Sequence, residues 1–124
     1  MPSIAVIGAS LDRKKYGNKA VRLYASKGYR VYPIHPTEST IEGLKCYRSI
    51  LDVPEASLDR VSLYLPPHIG MTVIEDVAKK SVTEVWLNPG SESPELISKA
   101  EKLGLNVIAG CSIVDLGMRP SELD

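Results

Sequence analysis

Short apolar runs with β-branched residues alternate along this chain with longer stretches whose apolar positions recur at helical spacing. The runs are Ile4 to Ile7, Arg30 to Ile34, Val61 to Leu65, Glu84 to Leu87 and Asn106 to Ala109. Being apolar on both faces, they suit strands of a parallel sheet covered on both sides. Between the first two, Ala20, Val21, Leu23 and Tyr24 form one stripe, and Lys27-Gly28 supplies a cation and a left-handed stop, which predicts a helix over Gly17 to Lys27. After the third run, Ile69, Val73, Ile74, Val77 and Ala78 share a helix face that ends in Lys79 and Lys80, cations suited to the negative dipole end. A third helix opens at Ser93-Pro94-Glu95, a capping serine followed by a proline at the tolerated first position, and stops before Gly104. The segment Gly43 to Pro54 predicts a short extra strand and a single helical turn. Ser112 to Met118 should cover the sheet, and Ser121 to Asp124 should fray.

Strands alternating with helices predict an α/β, Rossmann-like, doubly wound fold: three layers around a mainly parallel sheet of five or six strands. A length of 124 residues fits one domain spanning 1–124. Fifteen Lys and Arg balance fifteen Asp and Glu, so the global basic field of a nucleic-acid binder is missing. No apolar run is long enough to span a bilayer, which argues against a membrane partner. The only two cysteines, Cys46 and Cys111, have no CxxC or histidine spacing, so neither a metal site nor a disulfide is expected. With no signal core at the N-terminus, the expected location is the cytoplasm. Nothing in the pattern decides between a monomer, a homo-oligomer and an unidentified protein partner.

Ligands of such sheets bind beyond the carboxyl ends of the strands. The first of these loops, Gly8-Ala9-Ser10 through Lys15-Tyr16-Gly17, leads into a helix whose N-terminal N–H groups and positive dipole end suit a phosphate. Gly8 lets the backbone turn, Ser10 offers a hydroxyl, and Arg13, Lys14 and Lys15 supply charge, with the phosphate partner among them left open. The loop is not GxGxxG, and His35-Pro36 follows the second strand where a nicotinamide dinucleotide site places Asp or Glu, so NAD is disfavoured. No GxxxxGK[ST] string occurs either. Leu65-Pro66-Pro67 and Asn88-Pro89-Gly90 add an apolar rim suited to an adenine ring or an acyl-carrier arm. Neither His35 nor His68 sits next to a nucleophile, and Cys111 reads as a small hydrophobe at a strand end, so no catalytic residue is assigned.

In order along the chain, Val6-Ile7-Gly8-Ala9-Ser10, Lys15-Tyr16-Gly17, Val31-Tyr32-Pro33-Ile34-His35-Pro36, Ile41 to Tyr47, Leu65-Pro66-Pro67 and Val85 to Gly90 resemble the stand-alone CoA-binding domain proteins. That family is similar to the N-terminal domain of the succinyl-CoA synthetase alpha subunit and of NDP-forming acyl-CoA synthetases, and the likeness covers about residues 4 to 112. The resemblance implies binding of coenzyme A or an acyl-CoA without catalysis. Gly8, Ala9, Ser10, Tyr16 and Gly17 would line the pyrophosphate turn, with Arg13 or Lys15 neutralising charge. His35 and Pro36 would border the adenosine, and Leu65, Pro66, Pro67, Asn88, Pro89 and Gly90 the rest of the ligand. His35 stands where the family has Asn, and Ala109-Gly110-Cys111-Ser112 replaces a more polar ending. The larger ligases carry further domains for which this length leaves no room. An NAD(P)-binding oxidoreductase or sensor domain, and a partner-binding subunit with a vestigial pocket, stand as alternatives.

Overall fold

Five parallel strands form the central sheet of the computed structural model, which describes residues 1–124. The order is β2-β1-β5-β6-β7, with β1 Ser3–Ile7, β2 Arg30–Ile34, β5 Ser57–Leu63, β6 Ser81–Leu87 and β7 Val107–Ala109. Between β2 and β5 lie β3 Thr40–Ile41 and β4 Leu44–Lys45, a short antiparallel hairpin turning at Glu42-Gly43. The family of α/β doubly wound folds is thus confirmed at five strands. The extra segment joins the sheet's hydrogen bonding through one bridge, Tyr47 beside Ile34 at the β2 edge, and buries Ile41 and Cys46 against Ile4, Val6 and Val31.

Alternation along the strands separates two cores. Ala5 and Ile7 of β1 face one side with Val61 and Leu63 of β5, under helices α2 Pro67–Ala78 and α3 Pro94–Lys102, which contribute Ile74, Val77, Leu96 and Ala100. Ile4 and Val6 face the other side, under α1 Tyr16–Ser26 with Ala20, Val21, Leu23 and Tyr24, and the short α4 Ser112–Asp115 with Ile113. These two apolar layers hold the sheet between helices, as the two-faced strands require.

Element edges differ from the pattern reading where polar residues are used structurally. β5 begins at Ser57, four residues before the run that marked it, and ends at Leu63, two residues before that run's end; Asp59 accepts from the Ser3 amide at 2.8 Å and so joins the sheet despite its charge. β6 likewise starts at Ser81, and β7 is one residue shorter at its start than expected. The expected single turn is present as a 3-10 helix over Ile50–Asp52, with Ser49 Oγ accepting from the Leu51 amide. The C-terminus does not fray. A second 3-10 helix, Pro120–Leu123, docks on α1: Lys19 Nζ donates to the Pro120 carbonyl and pairs with Asp124, and Arg22 donates to the Leu123 carbonyl at 2.8 Å. Long cationic side chains on the helix supply the partners that a polar tail lacks on its own.

Candidate functional site

The strand order reverses between β1 and β5, which lie side by side although β2 follows β1 in the chain. There the backbone leaves β1 at Gly8 and leaves β5 at Tyr64. Gly8 has φ 91°, and a Cβ on it would stand 2.5 Å from the Tyr64 carbonyl oxygen. The crevice floor is therefore main chain against main chain, which only glycine permits. Gly17 closes the same turn from the other side: a Cβ there would collide with the Gly8 carbonyl, so its first duty is to let α1 sit against the loop.

The loop between them is braced from within. Ser10 Oγ accepts from the Asp12 amide at 3.0 Å, and Asp12 Oδ1 accepts from the Lys14 amide at 3.0 Å. Asn18, fully buried on α1, donates to the Ser10 carbonyl at 2.8 Å and to Glu42 Oε2 at 3.1 Å, while its Oδ1 accepts from Arg22. Glu42, at the hairpin turn with φ 52°, also pairs with Arg13. Donation from Asn18, then from Arg13, holds the Glu42 carboxyl below its ordinary range. The result is a fixed loop that leaves the Tyr16 and Gly17 amides, at the start of α1, without a backbone acceptor. The Ser10 hydroxyl, an acceptor in the brace, keeps its own proton to donate.

Two cavities flank this turn. One, of about 410 Å³, runs toward β6 and is lined by Gly8, Lys14, Lys15, Tyr16, Gly17 and Tyr64, with Leu65, Pro66, Pro89, Gly90 and Ser91 beyond. The other, of about 440 Å³, runs toward β2 along Ala9, Ser10, His35, Pro36 and Arg48, over an apolar wall of Ile7, Ile34, Ile69 and Val73. Gly8, Lys15, Tyr64 and Leu65 line both, so the cavities meet over the first turn of α1. Tyr64 stands at that junction with its hydroxyl 3.1 Å from Ser112 Oγ, and burial pushes its phenol up to about 12, which keeps it neutral.

The structure thus gathers Gly8, Ala9, Ser10, Lys15, Tyr16, Gly17, His35, Pro36, Leu65, Pro66, Pro89 and Gly90 around one groove. Three expected residues stand apart. Arg13 points to Glu42 and lines neither cavity. Pro67 opens α2 without reaching the groove lining. Asn88 is fully buried: its amide donates to Ser62 Oγ and the Leu63 carbonyl at 2.8 Å each, and its Oδ1 accepts from the Ser112 amide at 2.9 Å. It ties β5, β6 and α4 together beneath the groove. His35 Nδ1 accepts from the Thr37 and Glu38 amides, which fixes its ring and leaves Nε2 as the group free to meet a ligand. Pattern reading missed Tyr64, Arg48, Ile69 and Val73. Tyr64 directly precedes the noted Leu65-Pro66-Pro67, so its place at a strand's carboxyl end was a usable signal. Arg48 arrives only through the contact of Tyr47 with β2.

No helix is long and apolar enough to cross a membrane, and no group of three or more His, Cys, Asp and Glu is placed to hold a metal. A parallel doubly wound sheet with a glycine-floored crevice at its switch point defines a Rossmann-like ligand-binding domain. The chain belongs to the CoA binding domain family, whose model matches residues 2–117. It is 29% identical over 116 residues to the alpha subunit of an ADP-forming acetate–CoA ligase II from Pyrococcus furiosus, covering 85% of this chain and 25% of that one. An ADP-forming acetate–CoA ligase from Methanocaldococcus jannaschii is 36% identical over 80 residues, 64% of this chain and 11% of its own. The chain therefore spans a quarter or less of these relatives. Among solved structures, a conserved hypothetical protein from Pyrococcus furiosus superposes with TM-score 0.80 and 35% identity, covering 90% of this chain and 94% of its own. The dinucleotide-forming acetyl-coenzyme A synthetase 1 of Candidatus Korarchaeum cryptofilum, solved with phosphate and ADP, gives TM-score 0.75 and 34% identity over 87% of this chain and 25% of its own.

Proposed function

We propose that this chain binds coenzyme A or an acyl-CoA in the groove and performs no chemistry on it. The observation that carries this reading is the shape of the groove: an anion site of unpaired α1 amides and Lys15, with one arm on either side. A long ligand with a diphosphate between an adenosine and an extended acyl-carrier arm has that order of charge. Family membership supports the same ligand. The diphosphate meets the Tyr16 and Gly17 amides, the Ser10 hydroxyl and Lys15. The adenosine takes the more apolar β2 arm beside His35 and Pro36, and the pantetheine follows Tyr16, Leu65, Pro66, Pro89 and Gly90. Arg13 and Asn88 serve by holding the loop and the sheet.

Binding without chemistry is supported by what the groove's polar groups already do. His35 Nδ1 is committed to its own turn, the Ser10 hydroxyl oxygen to the Asp12 amide, and Cys111 is not part of the groove lining. We place residues 1–124 in one unit acting in the reducing cytoplasm, where Cys46 and Cys111 stay as free thiols. The test is thermal denaturation with CoA, acetyl-CoA, NAD and ADP. At a hundredfold excess over its dissociation constant, CoA should stabilise the protein by about 2.7 kcal/mol. A shift with NAD and none with CoA or acetyl-CoA would overturn the proposal.

A further inference from the structure

We propose that Arg48 recognises a ribose 3′-phosphate, and so makes the groove select coenzyme A over its 3′-dephospho form. The inference rests on the groove being the CoA site. Of the six arginines in the chain, five are already engaged: Arg13 with Glu42, Arg22 with Asn18, Arg30 with Glu55, Arg60 with Asp115 and Arg119 with Glu122. Arg48 enters no ion pair and donates no hydrogen bond, and it lines the β2-side cavity beside His35 and Pro36. A guanidinium with five donors and no acceptor on a cavity wall is suited to an oxyanion that the wall itself does not supply.

Its backbone is held from both sides. Tyr47, immediately before it, donates its amide to the Pro33 carbonyl and accepts from the His35 amide, both at 2.9 Å. Ser49, immediately after it, caps the 3-10 helix. The one carboxylate that shares a cavity with Arg48 is Asp76, in the smaller pocket below, and Asp76 pairs with Lys79 at 3.5 Å. Within the β2-side cavity the positive charge therefore stands at two places: Lys15 at the junction with the diphosphate site, and Arg48 at the wall beyond. CoA carries phosphate at two positions of one ribose, the diphosphate on the 5′ oxygen and a single phosphate on the 3′ oxygen. NAD and ADP carry only the first. Two separated cations in one adenosine-sized cavity match the doubly phosphorylated ribose, and a bidentate guanidinium gives the second its directionality.

Calorimetric titration of the wild type and Arg48→Gln with CoA and with 3′-dephospho-CoA tests this. Wild type should bind CoA about tenfold or more tightly than dephospho-CoA, as a charge-assisted contact predicts. Arg48→Gln should lose most of that preference while its affinity for dephospho-CoA stays unchanged, which also shows that the variant is folded. Equal binding of the two ligands by wild type overturns the role of Arg48 and leaves CoA binding standing. A preference that persists in Arg48→Gln overturns it equally. Failure of both ligands to bind wild type overturns the CoA reading itself.

Discussion

At the scale of single residues, the side chains nearest the groove divide into those that face it and those that hold it up. Asn88 is the clearest of the second kind. It sits in an Asn-Pro-Gly turn at a strand's carboxyl end, where sequence reasoning places ligand contacts, yet all of its polar atoms are spent inside the protein. Asn88→Ala should cost about 3 kcal/mol, because buried donors and acceptors on β5 and α4 lose their partner. Chemical denaturation measures that loss, and calorimetry should find near-normal CoA affinity in the folded fraction. A variant with full stability and lost binding would return Asn88 to the ligand. Gly17 shows a related distinction. Read from sequence it permits a phosphate to approach; in the structure its missing Cβ first makes room for the Gly8 carbonyl, so a substitution there disturbs the fold before it tests the site.

At the scale of elements, the Gly8–Gly17 turn depends on a hairpin far from it in sequence. Glu42 at the β3–β4 turn receives Asn18 and Arg13, and its carboxyl titrates below the ordinary range of about 4.5. A carboxyl whose folded value is depressed adds stability that is complete above its unfolded value and disappears as pH falls through the folded one. Glu42→Gln should therefore melt below wild type near neutrality, and the gap should close as pH falls below the ordinary value of 4.5 and through the depressed folded one. Melting curves across that range check it; a gap independent of pH would assign the effect to packing. The coupling also explains what was legible in sequence and what was not. The carboxyl ends of β1, β2, β6 and β7 and the glycine turns were readable because apolar periodicity and left-handed glycines are local signals. The start of β5 was hidden because Ser57 and Asp59 are polar and exposed, and nothing local shows that the Asp59 carboxylate meets the Ser3 amide of β1. Asn18 resembles a solvent-facing helix position, and only the folded loop shows that Ser10 and Glu42 bury it. Arg48 was silent for the same reason: the bridge from Tyr47 to Ile34 brings it to the groove.

At the scale of the whole molecule, the chain's last residues return to the first helix. Lys19 and Arg22 hold the Pro120–Leu123 turn, and Tyr24 donates to the Ser112 carbonyl at 2.8 Å while accepting from Arg60 at 2.9 Å. A variant ending at Met118 should stay folded but lose about 2 kcal/mol, since two charged donors on α1 lose their acceptors. Hydrogen exchange should show the protection of α1 falling more than that of α3; equal protection in both forms would mark the tail as dispensable. The same economy of contacts appears at the groove, where Gly8, Lys15, Tyr64 and Leu65 serve both arms at once. A ligand reaching across that common wall is in effect bivalent. Once one end is seated, the other searches only the small volume its tether allows, so each half on its own is a weak binder and the joined molecule a strong one. Release can then proceed one arm at a time, the first end to leave staying tethered to the second.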